Sequence, residues 1–143
     1  MVTLNQLLNR KGHEIWSIAS DASVFEALQL MADKNVGALL VLDDGTLKGV
    51  FSERDYARKL ILQGKFSKET AVSELMTHDV VCIDSSRTIE DAMALMTARR
   101  IRHLPVLKGE DLVGIVTIGD VVRQLIDHHE FVIKQLERYI TGT

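Results

Sequence analysis

The sequence predicts an α/β (α+β) protein of two β-α-β-β-α repeats packed about a pseudo-twofold axis, with an extended C-terminal helix. Three observations predict it. Residues 15–61 slid forward by 65 fall on 80–126 without a gap, and 14 of those 47 positions are identical, among them Leu39/Leu104, Val41/Val106, Gly49/Gly114, Asp55/Asp120 and Arg58/Arg123. A heptapeptide, "GVFSERD" at 49–55 and "GIVTIGD" at 114–120, closes the third strand of each copy. Apolar residues switch from helical to strand periodicity at matching points in both copies.

Each copy opens on a short apolar strand, "EIWSIA" or "DVVCID". A helix follows, with Val24, Ala27, Leu28 and Met31 on one face, repeated by Ile89, Ala92, Met93 and Met96. Ser23 and Thr88 stand at the N-cap, and Glu26 and Asp91 three residues on complete the pattern of a capping box. Two strands come next, joined by "DDGT" in one copy and "GED" in the other, a hairpin signal. A second helix closes each unit, over 53–64 and 118–140. We expect repeat domains at 8–66 and 73–131 and a helical extension at 132–143. The whole terminal stretch "VVRQLIDHHEFVIKQLERYI" carries Val122, Leu125, Ile126, Phe131, Ile133, Leu136, Tyr139 and Ile140, more apolar surface than a small domain needs, and so predicts a subunit contact and a homodimer. His128 and His129 are adjacent and point to different faces, which speaks for solvated or interface histidines rather than a metal grip.

Composition sets the outer bounds. At 143 residues the chain holds one compact domain or two small units, and units of about 60 residues are marginal alone. A net charge of −3 argues against nucleic acid as the main partner. Cys82 is the only cysteine, and its setting "VVCI" predicts a buried small hydrophobe. The N-terminus shows no secretory signal and no apolar run is long enough to span a membrane, so a cytoplasmic location is expected.

The doubled heptapeptide has a structural and a ligand-binding reading. Ser52-x-x-Asp55 and Thr117-x-x-Asp120 match a capping box, which alone explains most such motifs. Gly49 and Gly114, however, sit inside strands, where glycine marks close approach of a backbone or ligand. A helix start with a hydroxyl suits phosphate. A carboxylate one turn on suits the vicinal diol of a ribose, as in dinucleotide folds. Arg102 and His103, just ahead of the second strand of copy two, and Arg54 inside the first motif are candidate phosphate partners beside Thr117 and Ser52. Asp120 and Asp55 are the ribose candidates, while Arg99 and Arg100 face the helix C-terminus. Val81, Ile101, Pro105 and Ile118 would line a base slot in copy two; Trp16, in the place of Val81, either stacks a base or plugs the first slot.

These residues carry a family resemblance. The duplicated unit ending in G-h-h-[ST]-x-x-D, with "IRHLPV" before the second motif, resembles the cystathionine-β-synthase-type (CBS) domain, and the pair resembles a Bateman module over residues 10–130. "GVFSERDYARK" is similar to stand-alone bacterial CBS-pair proteins. The resemblance implies clefts for adenosine compounds (AMP, ADP, ATP, NAD or S-adenosylmethionine), phosphate at Thr117 and Ser52, ribose at Asp120 and Asp55, and dimers of four repeats. Copy one departs from the pattern at Trp16, Gly37 and Ala38.

The expected function is a non-catalytic adenine-nucleotide sensor with no catalytic cofactor, acting on a separate regulated protein. Hydrolysis would need a positioned base, for which His103 is the one candidate, and no HExxH or Walker A pattern is present. The alternative is a protein-interaction or nucleic-acid module using the Arg99–His103 cluster, but it lacks interleaved aromatic platforms.

Overall fold

A computed structural model describes residues 1–141. Residues 142 and 143 of the expected extension, and the side chains of Tyr139 and Thr141, lie outside the described residues. The elements run α1 (Leu4–Lys11), β1 (Ser17–Ile18), α2 (Val24–Lys34), β2 (Ala38–Asp43), β3 (Thr46–Ser52), α3 (Glu53–Asp55), a wider π-helical turn (Tyr56–Leu60), α4 (Val72–Leu75), β4 (Ile83–Asp84), α5 (Ile89–Arg99), β5 (His103–Lys108), β6 (Asp111–Thr117) and α6 (Ile118–Thr141). By their contacts they form two compact units, Glu14–Val81 and a second that joins Met1–His13 to the chain from Cys82 onward.

In the Glu14–Val81 unit the sheet order is β1-β2-β3, with β1 parallel and β3 antiparallel to β2. The β2–β3 hairpin turns on Asp44 and Gly45, both at positive φ (50° and 78°), the backbone that a two-residue turn between twisted strands requires. Ser23 caps α2 by accepting the Glu26 amide at 3.1 Å. The core joins Val24, Ala27 and Met31 of α2 to Leu39, Val41 and Phe51 of the sheet and to Val72, Leu75 and Met76 of the α4 segment. Burying Phe51 completely stabilises the unit by ~2–3 kcal/mol. The helix expected over 53–64 is shorter than its counterpart: it widens after Asp55, ends at Leu60 and reverses at Gly64 (φ 65°).

The second unit repeats this plan as β4-β5-β6, with Gly109 alone at positive φ in its hairpin turn. Thr88 and Asp91 form the full reciprocal capping box of α5. α6 is 24 residues long, ~36 Å at the helical rise, so the long C-terminal helix is present.

α1 was not evident from the repeat. Thr3 and Gln6 cap it reciprocally, and Leu4, Leu7 and Leu8 are buried beneath it. Its backbone is tied by the Leu4 amide to the Arg87 carbonyl (2.8 Å) and the Asn5 amide to the Ser85 carbonyl (2.9 Å). α1 and α4 are themselves a repeated pair: Leu4, Leu7 and Leu8 match Val72, Leu75 and Met76 at an offset of 68. Each packs on the glycine of its own unit's third strand. A Cβ on Gly114 would lie 2.8 Å from both δ-carbons of Leu8, and one on Gly49 would lie 2.7 Å from the Met76 sulfur and 2.8 Å from the Thr77 carbonyl oxygen.

Both strand glycines therefore answer to the chain's own flanking segments. The ligand-side reading of Gly49 and Gly114 is corrected on this point. Cys82 is also corrected: it is half-buried, because β4 begins only at Ile83. Burial raises its thiol pKa.

Candidate nucleotide-binding site

The β5–β6 ladder assembles the candidate site of the second unit. His103 is the register partner of Thr117, so their side chains share one face at the end of the hairpin. The Ile118 amide bonds the Arg102 carbonyl oxygen at 2.9 Å, closing the strand end over the first turn of α6. Asp120 lies one turn on and is buried. Arg102, His103, Thr117 and Asp120 are thus brought together by one hairpin and one helix start.

Thr117 Oγ1 accepts the Asp120 amide at 3.1 Å, and Asp120 Oδ2 accepts the Thr117 amide at 2.9 Å, a reciprocal cap. Lys11 Nζ, reaching in from α1, donates to Asp120 Oδ2 at 2.6 Å, and Arg123 Nη2 donates to Oδ1 at 2.7 Å. Burial works to raise the Asp120 pKa, but the Lys11 bond and charge and the Thr117 bonds outweigh it and hold it below the usual carboxylate value. His103 is moved the other way from a phosphate cation: burial, then the Lys11 and Arg102 charges, lower its pKa against the opposing pull of Asp120.

In the first unit the same ladder places Ala38 opposite Ser52, and the Glu53 amide bonds the Gly37 carbonyl oxygen at 3.0 Å. No histidine or arginine side chain stands at those two positions. Asp55 Oδ2 accepts the Ser52 amide (2.9 Å) and hydroxyl (3.1 Å). Its Oδ1 meets Lys59 Nζ (3.0 Å) and the Thr77 hydroxyl (3.3 Å). A carboxylate offers about four acceptor positions, so Asp55 is fully engaged by its own unit. Asp120 accepts from the Thr117 amide and side chain, from Lys11 and from Arg123, so it too is engaged within its own unit. Arg54 is exposed at the start of α3.

The proposed base-slot residues divide. Ile101 and Ile118 are partly accessible next to Arg102 and Thr117. Pro105 is buried in β5, so it gives a slot no open surface, and Val81 ends the other compact unit. Trp16 packs against the core of the first unit, with Lys34 Nζ 4.4 Å from its ring centroid, a cation–π contact. Sequence reasoning missed Lys11, Lys59 and Thr77, the partners of the two aspartates. The buried spacing of Leu4, Leu7 and Leu8 behind Thr3 was the signal for the helix that delivers Lys11.

His128 and His129 stack edge-on with ring centroids 6.3 Å apart, and no group of three metal-ligating side chains occurs among the described residues. Among them, too, no helix is long and apolar enough to cross a membrane.

A fold of paired βαββα units whose third strands end in a capped Ser/Thr-x-x-Asp helix start defines a class of small tandem-repeat module. The family model for the CBS domain matches residues 11–62 and 72–127, and the chain belongs to the CBS-domain family. It is 38% identical over 150 residues to the mitochondrial CBS domain-containing protein CBSX3 of Arabidopsis thaliana, covering 98% of this chain and 72% of that one. A crystal structure of a CBS domain protein, NE2398, superposes with a TM-score of 0.84 at 48% identity, covering 87% of this chain and 97% of that chain. The CBS domain pair of protein MJ0100, solved in complex with 5-methylthioadenosine and S-adenosyl-L-methionine, shares the fold (TM-score 0.79, 24% identity, 90% and 98% of the two chains). Pairs of CBS domains are regulatory modules that often bind adenosine-containing ligands.

Proposed function

We propose that this chain is a non-catalytic regulatory module that binds an adenine nucleotide (AMP, ADP, ATP or NAD) and passes its occupancy to a separate protein, working as a cytoplasmic homodimer. The observation that carries the reading is the register of His103 with Thr117, one helical turn ahead of Asp120. In this reading Thr117, Arg102 and His103 meet phosphate, Asp120 meets ribose by exchanging Lys11 or Arg123 for a sugar hydroxyl, and Ile101 and Ile118 flank the base. The second unit is the better equipped, because Ser52, Arg54 and Asp55 of the first stand without a counterpart of Arg102 and His103. A ligand shifts a protein's state only by its differential affinity for the two states. Displacing Lys11 or Arg123 from Asp120 supplies such a difference.

Thermal unfolding with and without millimolar AMP, ADP, ATP or NAD tests the reading. At 100 times its dissociation constant a ligand adds ~2.7 kcal/mol of stability. Thr117→Val and Asp120→Asn are expected to remove most of that gain. Both also disturb a cap, so the quantity compared is the nucleotide-induced shift within each variant. Equal shifts in wild type and both variants would overturn the site, and no shift with any of the four nucleotides would overturn the function.

A further inference from the structure

The distal part of α6 carries a broad apolar surface. Every residue from 126 to 138 is exposed, including Ile126 (52%), Ile133 (53%) and Leu136 (56%). A helical stretch of this length with no covered face is marginal in water, and its stability must come from packing an amphipathic side.

The spacing of that side is specific. Val122, Ile126, His129, Ile133, Leu136 and Ile140 recur at alternating intervals of four and three, the seam of a coiled coil. Leu125 and Val132 flank the seam on one side, and Arg123, Glu130 and Glu137 flank it on the other. Phe131 lies on the opposite side of the helix and takes no part.

We propose that α6 pairs antiparallel with α6 of a second copy of this chain, a surface that deepens the homodimer reading and rests on it. In this register Ile126 layers on the partner's Leu136, Ile133 covers the partner's His129, and Val122 meets the partner's Ile140. Arg123, whose Nη2 bonds Asp120 at 2.7 Å while its side chain stays largely exposed, then flanks the partner's Glu137, and twofold symmetry repeats the pair; one like-charge contact, Glu130 with the partner's Glu130, opposes these two. The parallel alternative sets His129 against its own copy in the seam and lays Glu130 and Glu137 beside the partner's Leu125 and Val132, so charge complementarity favours the antiparallel pair.

Sedimentation equilibrium and site-directed disulfides test the surface. Wild type is expected to dimerise at about 50 μM, and Ile133→Glu with Leu136→Glu to weaken association at least about tenfold while far-UV circular dichroism keeps the sheet signal. In a Cys82→Ser background, Val132→Cys is expected to form an intermolecular disulfide on mild oxidation, and Ile126→Cys is not. A wild-type monomer would sink the homodimer reading itself. A dimer that persists unchanged in the double glutamate variant, or cross-linking of Ile126→Cys in place of Val132→Cys, would overturn the antiparallel seam and leave the homodimer standing.

Discussion

Lys11 and Asp120 form an ion pair at 2.6 Å, in which a lysine from the first helix neutralises a buried carboxylate at the start of the last. The same ammonium donates to the Ile115 carbonyl oxygen at 2.7 Å, so α1 is pinned to β6 at its C-terminal end. The Leu8 side chain, seated over Gly114, adds a further contact of α1 with that strand.

Lys11→Met is expected to destabilise the protein by about 1–2 kcal/mol, because Asp120 keeps Arg123 and the Thr117 amide but loses its shortest partner. The Asp120 pKa should rise toward its ordinary value. Urea denaturation and carboxyl carbon NMR read the two effects.

Gly49→Ala and Gly114→Ala should both destabilise, and unequally. At Gly49 the new methyl meets a backbone oxygen, Thr77 O, at 2.8 Å, for an expected cost of about 2–3 kcal/mol. At Gly114 its nearest neighbours are atoms of the Leu8 side chain, for about 1–2 kcal/mol. Pairing Gly114→Ala with Leu8→Ala should cost less than the two single losses added, since they share one contact. Additive losses in denaturation midpoints would argue against this notch.

His103 should leave a mark on the acid limb of stability. Its folded pKa lies below the ordinary 6.5, so the unfolded chain takes up the proton first. The stability present above pH 6.5 is therefore lost as pH falls toward the folded value. His103→Gln removes this share of the decline. The difference between variant and wild type at pH 7.5 and pH 5.5, measured by chemical denaturation, isolates it.

Thr88→Ala should cost about 1 kcal/mol of thermal or chemical stability, because it removes the acceptor for the Asp91 amide from a complete capping box. A loss of less than a few tenths would mean that the Asp91 carboxylate, bonded to the Thr88 amide at 3.2 Å, suffices by itself.

Much of this fold was legible because it is written twice. The strands around Val41 and Val106, the Asp44-Gly45 turn and the α2 and α5 stripes follow from local periodicity that the duplication confirms. The helix pair α1 and α4 escaped because its offset is 68, outside the ungapped slide at 65. The aspartates were legible as caps, but their cations were not. Lys11 stands 109 positions from Asp120, and Thr77 meets Asp55 only after α4 has packed on β3. Such partners are set by tertiary packing, which neither spacing nor propensity encodes.

The segment 14–81 is nested within the other compact unit, whose pieces lie on either side of it in the chain. During synthesis the inner unit can close as soon as it leaves the ribosome. The outer one must hold Leu4, Leu7 and Leu8 in waiting until β6 arrives, more than a hundred residues later. A fusion or bulky tag placed ahead of Thr3 would therefore be felt not by its sequence neighbours but by the late-forming half of the molecule, as slower maturation and a greater demand on chaperones.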